Sequence, residues 1–530
     1  MTTKTDGVAG TASPGLHPAV SGTGLALVFT ALLLASAWIG RAATSSDGAE
    51  ALSDSFGFLV TGRLESATVP AERPDPYFPE PHPFRSRYGV FPSLLPLPFL
   101  APAWLLRRAI GSPGIDAAAA LTWAVGAGLA AWAFLALARS LKPDASPFWA
   151  PAFLAGTYLW PYAADSFVEP WAAAALALGA ERLLRADSSR PVRDGLVAGL
   201  GALVAALLKP ILWVLAPVFV LAALSKARGR PEALGGAAGT AAALTIGLTA
   251  VLGLNAMLYG RATDFGYGYQ GLPFDTPLAE GLFGLLLSPG RGLIVFAPLA
   301  VLAPLALRRV PATALVLCGV APLTLFLVAA RWFSWHGASC WGPRLVLPVL
   351  PLLVAPAVLL PRVLARGALA LGFAVNLLGV LVAPGAFISY AELLSGGAAL
   401  SWPHAGSDRV STVPLLAPPL GHAVFLARGA GIAVPAPWLG QGTREGMPLP
   451  APAAWLSPWL FRRFCGFPPV EPVSAGLLAR IATAEAVRGR PAVAALFARE
   501  ALLLDPGHRH AERLRQLAKQ TPPEAGVPQH

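Results

Sequence analysis

From residue 22 to about residue 386 the chain is a series of apolar runs separated by short polar links. The first covers 22–40. Others fall at about 89–108, 115–138, 147–164, 170–184, 195–208, 211–224, 236–254, 292–307, 311–330, 345–360 and 369–386. About 20 predominantly apolar residues cross the hydrocarbon core of a bilayer, and a soluble globule has no use for so many such runs. Only 13% of the 530 residues are charged, against roughly 25% in a soluble domain. The sequence therefore predicts an all-α polytopic transmembrane bundle, with about 11 spans, since one of the twelve runs, 89–108, is not expected to cross on its own. Several runs are short, which predicts tilted or broken helices. The 54 glycines and 53 prolines fit kinked, closely packed membrane helices.

Charge gives the bundle two ends. The net charge is +11, yet the pattern is not a nucleic-acid footprint. Basic residues cluster between apolar runs, at Arg139 and Lys142, from Arg182 to Arg193, at Lys226, Arg228 and Arg230, at Arg308 and Arg309, and at Arg362 and Arg366. The positive-inside rule assigns those links to the cytoplasm. The links 41–88, 165–169, 209–210, 255–291 and 331–344, with everything after about 387, then lie outside. This works only if 89–138 crosses once. The piece 89–108 holds Pro92, Pro96, Pro98 and Pro102, which disrupt helical hydrogen bonding, so it is expected to be re-entrant or to lie along the surface. The expected location is the inner (plasma) membrane.

The polar residues 1–21 read as a flexible N-terminus. The run after them has no small-residue cleavage site at a suitable distance, so it reads as a retained helix. Residues 22–386 form the membrane domain, and 387–472 a Pro- and Trp-rich extramembrane segment. From 473 to 520 the chain resembles one tetratricopeptide helix pair with part of another, and 521–530 is a disordered tail. A lone unit of that kind cannot bury its own face. It must dock on the membrane domain or bind a protein partner, unless it is a plain helical tail. Cys318 lies inside an apolar run, and a Cys340–Cys465 disulfide is not expected.

Polar chemistry concentrates in a few links. The link 264–291 carries Asp264, Tyr267, Tyr269, Gln270, Asp275, Glu280 and Arg291 between two apolar runs. Irregular backbone of that kind must face water or line a protein cavity. Ser46-Asp47-Gly48-Ala49-Glu50 opens the first long outer link, where a carboxylate could act as a general base or be a solvated loop acid. Asp165 and Glu169 are four apart, so one helical turn puts both on one face. They are either functional acids near membrane depth or acids at the helix–water border. The stretch 331–344 holds Arg331, His336, Arg344 and Trp332, Trp335 and Trp341. Its arginines suit phosphate oxygens, and tryptophan is also the usual interfacial residue. Arg291 in Ser288-Pro289-Gly290-Arg291-Gly292 could face a phosphate or snorkel from an interfacial turn. No zinc spacing, nucleotide-binding glycine loop or serine elbow is present.

Together these residues resemble the GT-C class of polytopic glycosyltransferases that use a polyprenyl-phosphate sugar, relatives of protein O-mannosyltransferases and aminoarabinose transferases. The resemblance covers roughly residues 22–390. It rests on Ser46-Asp47-Gly48 with Thr61-Gly62-Arg63, on Arg87-Tyr88-Gly89-Val90-Phe91-Pro92, and on Asp165 with Glu169. It rests further on Phe265-Gly266-Tyr267-Gly268-Tyr269 leading to Leu287-Ser288-Pro289-Gly290-Arg291-Gly292-Leu293, and on Trp335-His336-Gly337 with Trp341-Gly342-Pro343-Arg344. Gly48 stands where that family has a second acid, and the C-terminal helices lie outside its pattern.

The resemblance implies inverting transfer of a hexosyl or pentosyl group from a polyprenyl-phosphate donor to a lipid, glycan or protein acceptor at the non-cytoplasmic face. Asp47 would be the base. Arg291 and Arg344 would bind the donor phosphate, with His336, Tyr267 and Tyr269 beside them. Asp165 or Glu169 would orient the acceptor or hold a metal. No metal site is assigned, a divalent ion being left open, and no nucleic acid is expected. The competing reading is a transporter or flippase for a lipid-linked or small polar substrate, which would spread polar groups along a path through the midplane. A third is a scaffold presenting the C-terminal helices.

Overall fold

The structure is a computed structural model. It describes residues 46–63, 89–186, 189–228, 231–265, 274–337, 340–382, 417–430, 432 and 473–519. The fold is all-helical, with no strand among the described residues. The elements used below are α1 (Ser46–Thr61), α2 (Val90–Leu94), α3 (Leu97–Leu105), α4 (Arg107–Leu141), α5 (Glu169–Arg185), α6 (Pro191–Leu208), α7 (Pro210–Ala227), α8 (Leu234–Tyr259), α9 (Ala312–Arg331), α10 (Arg362–Leu381), α11 (Val473–Val487), α12 (Pro491–Leu504) and α13 (Ala511–Lys519). The expected first span at 22–40 lies outside the described residues, as do Tyr267, Tyr269 and Cys465.

Six of these helices, α4, α6, α7, α8, α9 and α10, are long and apolar enough to cross a membrane. Other apolar runs fold as chains of short helices, and proline explains the breaks. Residues 292–309 form Leu293–Phe296, Pro298–Leu302 and Ala303–Arg309, and residues 344–359 form Arg344–Val349, Leu350–Val354 and Ala355–Leu359. Pro298, Pro304, Pro348, Pro351 and Pro356 each remove a backbone donor. The stretch 89–108 splits into α2 and α3 in the same way. At 1.5 Å per residue the longer of them reaches only about 14 Å, well short of the ~30 Å hydrocarbon core.

The bundle packs through small residues. A Cβ on Gly195 of α6 would lie 2.0 Å from the Gly236 carbonyl oxygen of α8, and one on Gly239 would lie 2.3 Å from the Val192 carbonyl oxygen. The two backbones therefore touch, and Thr240 Oγ1 donates to the Gly195 carbonyl across the seam at 3.1 Å. Where both lipid and helix are apolar, such close packing holds helices together.

The two ends of the bundle differ. Arg185 Nε donates to Ser140 Oγ at 3.0 Å, Arg182 pairs with Asp194, and Lys226 Nζ caps the Leu183 and Leu184 carbonyls at 2.8 and 2.9 Å. Ser225 Oγ reaches Thr313 Oγ1 at 3.2 Å, and Arg309 Nη1 donates to the Leu359 carbonyl at 2.9 Å. The basic links thus share one end. Lysine there also complements the negative C-terminus of α5.

At the other end α4 projects past its neighbours. Trp171 Nε1, in the first turn of α5, donates to the Thr122 carbonyl of α4 at 3.0 Å. The residues of α4 before Thr122 therefore extend about 20 Å beyond the start of α5, with a kink at Gly111 (φ 60°, ψ −169°). Helices α11, α12 and α13 dock on this projection. Their Leu478, Ile481, Phe497 and Leu514 share one core with Leu52 and Phe56 of α1, Trp104 of α3 and Ile115 and Trp123 of α4. Docking on the membrane domain buries the face that an isolated helix pair would expose.

Candidate functional site

Four links bring one charged residue each to the end opposite the basic links. Pro170 occupies the first turn of α5, where a missing N–H does no harm, and this starts the helix with Glu169 inward and fully buried. Lys209 precedes Pro210. A residue before proline is driven out of the helical region, and Lys209 is extended at φ −144°, ψ 99°, which ends α6 and turns its side chain aside. Arg344 follows Pro343 at the start of a 3-10 turn. Asp47 lies in the first turn of α1.

These side chains form a ring of alternating charge. Arg344 Nη2 donates to Asp47 Oδ2 at 2.9 Å, and Arg344 Nε lies 3.2 Å from Glu169 Oε1. Lys209 Nζ is 2.8 Å from the same Glu169 oxygen and 4.0 Å from Asp47 Oδ2. All four side chains are at most 17% exposed. Buried ions are tolerated only when each has an opposite partner in good geometry, and two cations facing two carboxylates meet that condition. The Arg344 guanidinium also sits 4.4 Å from the ring centre of Phe167, a cation–π contact.

A tight seam aligns the parts. A Cβ on Gly48 would lie 2.1 Å from Ser166 Cβ and Oγ and 2.3 Å from the Ser166 carbonyl oxygen. Helix α1 therefore touches the 165–168 link at a position that admits no side chain. Asp165 is buried, and its Oδ1 accepts the Ser166 N–H at 2.9 Å.

Behind Arg344 lies a buried turn. Arg291 is fully buried, and its Nη1 donates to the Cys340 carbonyl and lies 3.3 Å from Cys340 Sγ. Cys340 Sγ is 3.6 Å from the carbonyl of buried His336. Gly337 has φ 72°, and a Cβ there would lie 3.2 Å from Arg344 Cβ. Arg291 and His336 thus frame the turn that delivers Arg344. Trp341 anchors its other side. Its Nε1 donates to Asn376 Oδ1 at 3.0 Å, while Asn376 Nδ2 donates to the Phe296 and Gly372 carbonyls. Cys318 and Cys340 are buried free thiols.

Of the residues expected from the sequence, Asp47, Glu169 and Arg344 meet directly. Asp165 lies in the non-helical 165–168 link and α5 begins only at Glu169, so the two acids do not share the helical turn that their spacing suggests. Sequence reasoning grouped the 209–210 link with those of Asp47, Glu169 and Arg344 but did not select Lys209. The available signal was its isolation, since no other charged residue occurs between Asp194 and Lys226. The donors do not fit a divalent cation. Both carboxylates of the ring already face cations, and no three metal-ligating side chains gather among the described residues.

No family model and no curated protein matches the chain. Among solved structures it is similar to a crystal structure of ArnT from Cupriavidus metallidurans bound to undecaprenyl phosphate. The identity is 16% over 91% of this chain and 80% of that one, with a TM-score of 0.44.

Proposed function

We propose that the protein is a membrane glycosyltransferase that moves a sugar from a polyprenyl-phosphate donor to an acceptor at the non-cytoplasmic face, with inversion and with Asp47 as general base. One observation carries this reading. A carboxylate, a guanidinium and an ammonium converge in a buried ring at the end of the bundle remote from the basic links. By the positive-inside rule that end faces outward. A charge ring confined to one end also favours transfer over transport, which needs polar groups along the midplane.

The chemistry follows from the charges. An incoming donor phosphate competes with Asp47 for Arg344 and Lys209. Once those cations hold the phosphate, Asp47 is released to take a proton. The acceptor oxygen or nitrogen attacks the anomeric carbon from the face opposite the phosphate. The bond from anomeric carbon to phosphate oxygen breaks, its electron pair stays on the leaving polyprenyl phosphate, and the acceptor proton goes to Asp47. Fixed cations stabilise charge that develops on the leaving group. Glu169 keeps Lys209 and Arg344 aimed at it, and Asp165 orients the acceptor. Arg291 and His336 support the donor site through the 336–344 turn, and Tyr267 and Tyr269 are assigned to the donor as well. A crevice lined by Phe91, Leu207, Pro210, Val251, Leu254 and Tyr259 adjoins Lys209.

The test uses purified protein in lipid vesicles with labelled polyprenyl-phosphate hexose and pentose donors and a mixed acceptor pool. Asp47→Asn keeps the shape and should abolish label transfer, while the parent transfers from one of the donors. Equal transfer by parent and variant would rule out Asp47 as the base.

A further inference from the structure

Helix α1, which carries Asp47, is enclosed rather than laid on a surface. Every residue from Ala51 to Gly57 is buried, almost two full turns, so protein covers it on all sides. The bundle supplies one side. Ser55 Oγ donates to the Ser93 carbonyl at 2.7 Å, Ser93 Oγ donates to Asp54 Oδ2 at 2.7 Å, and Gly48 abuts Ser166. The C-terminal helices supply the other, packing Leu478, Ile481 and Phe497 into the core that holds Leu52 and Phe56.

Polar contacts fix those helices in place. Arg107 Nε and Nη2 grip Glu500 at 2.8 and 3.0 Å, a bidentate geometry that defines orientation as well as distance. Asp116 Oδ2 and Oδ1 accept the Val473 and Ser474 N–H groups at 3.0 and 2.9 Å, satisfying two of the donors that the N-terminus of α11 leaves open. Ser112 Oγ donates to the Leu504 carbonyl at 2.7 Å. Each anchor on the membrane side is on the projecting part of α4. The unit therefore spans from this projection to the far side of α1.

We propose that the C-terminal helical unit is a clamp that holds α1 in register, so that Asp47 meets Arg344 and Lys209. Arg107, Asp116 and Glu500 are positioning residues in this scheme. The catalytic significance of the clamp rests on the proposed transferase reading, but the clamp itself is a statement about α1.

The experiment is hydrogen–deuterium exchange on the full chain in detergent or nanodiscs. Two variants loosen the clamp by different means. Glu500→Arg with Asp116→Asn breaks the polar anchors, and Leu478→Asp puts a charge into the shared core. In at least one, peptides from 46–61 should exchange at least about tenfold faster while peptides from α5 and α6 stay as protected as in the parent. Adding Arg107→Glu to the first variant restores the ion pair in reverse while Asp116→Asn stays in place, and should restore part of the protection. Unchanged protection of 46–61 in both variants overturns the proposal, and so does equal deprotection of the whole bundle. Label transfer is read in parallel and should fall with the loss of protection and return with the reversed pair. Selective loosening of α1 in a chain whose parent shows no transfer would uphold the clamp and sink the transferase reading.

Discussion

Arg344 Nη2 and Asp47 Oδ2 are 2.9 Å apart and separated by 297 positions of sequence. The pair closes a ring that also includes Glu169 and Lys209. Arg344 uses two different nitrogens for its two carboxylates, Nη2 for Asp47 and Nε for Glu169, a planar fork that lysine cannot reproduce.

Arg344→Lys should therefore reduce transfer by about 100-fold or more, in the range seen when one fixed donor is removed from a site of developing negative charge. Arg344→Ala should in addition destabilise the fold by up to about 3–5 kcal/mol, since it takes the nearer cation from Asp47 and one of the two cations from buried Glu169. Thermal unfolding in detergent, with initial rates of label transfer, separates the two effects. A lysine variant with parental activity would remove Arg344 from phosphate binding.

Lys209→Met keeps the apolar stem and deletes the charge. Glu169 retains Arg344, so the stability loss should be moderate, about 1–3 kcal/mol for a buried acceptor that loses one partner. Transfer should fall by about tenfold to 100-fold, with the larger part as a raised KM for the donor. A shift in melting with no change in KM would assign Lys209 to neutralising Glu169 alone.

Asn376 is a separate structural test. Its side-chain amide bridges Trp341, Phe296 and Gly372 through three hydrogen bonds inside the bundle. The two bonds that leave its own helix, to Trp341 and Phe296, are of the kind that contributes roughly 0.6–2 kcal/mol each between membrane helices, whereas Gly372 lies one turn back in α10. Asn376→Ala should lower the melting temperature and loosen the turn that ends at Arg344, with a smaller effect on transfer than any change in the ring. Parental melting would mean that Trp341 is held by its packing against Phe296 and His422 rather than by the amide.

The contrast between these residues shows what could be read from the chain. Asp47, Glu169 and Arg344 are legible because a charge beside an apolar run must have a reason to be there. Lys209 is harder to read, since Lys-Pro between two runs has the same appearance as a simple turn. The all-helical membrane fold follows from run length alone, whereas the division of 292–309 and 344–359 into short helices depends on where each proline falls relative to its neighbours. The docking of α11–α13 is not legible in the sequence because Ala and Leu at helical spacing identify a face without identifying what covers it. The anchors are single residues, Arg107, Asp116 and Glu500, whose pairings across more than 350 positions no local pattern encodes.

Gly48 offers the most direct test of the site's geometry, because the substitution adds a single methyl group. A Cβ there would overlap Ser166 Cβ and Oγ at 2.1 Å and the Ser166 carbonyl oxygen at 2.3 Å. The hydroxyl could turn away, but the Ser166 Cβ and carbonyl are fixed on the link that positions Glu169, so the two elements must separate. A displacement of about 1 Å is enough to lower a rate by about 100-fold when reacting groups are held in place. Gly48→Ala should therefore lose transfer by that order while the bundle beyond α1 keeps its exchange protection. Ser166→Gly removes two of the three clashing atoms and leaves the carbonyl, so the Gly48→Ala, Ser166→Gly double variant should recover only part of the rate. Full activity in Gly48→Ala alone would show that α1 can move away from the 165–168 link without cost, and that the Asp47–Arg344 contact is not what sets the rate.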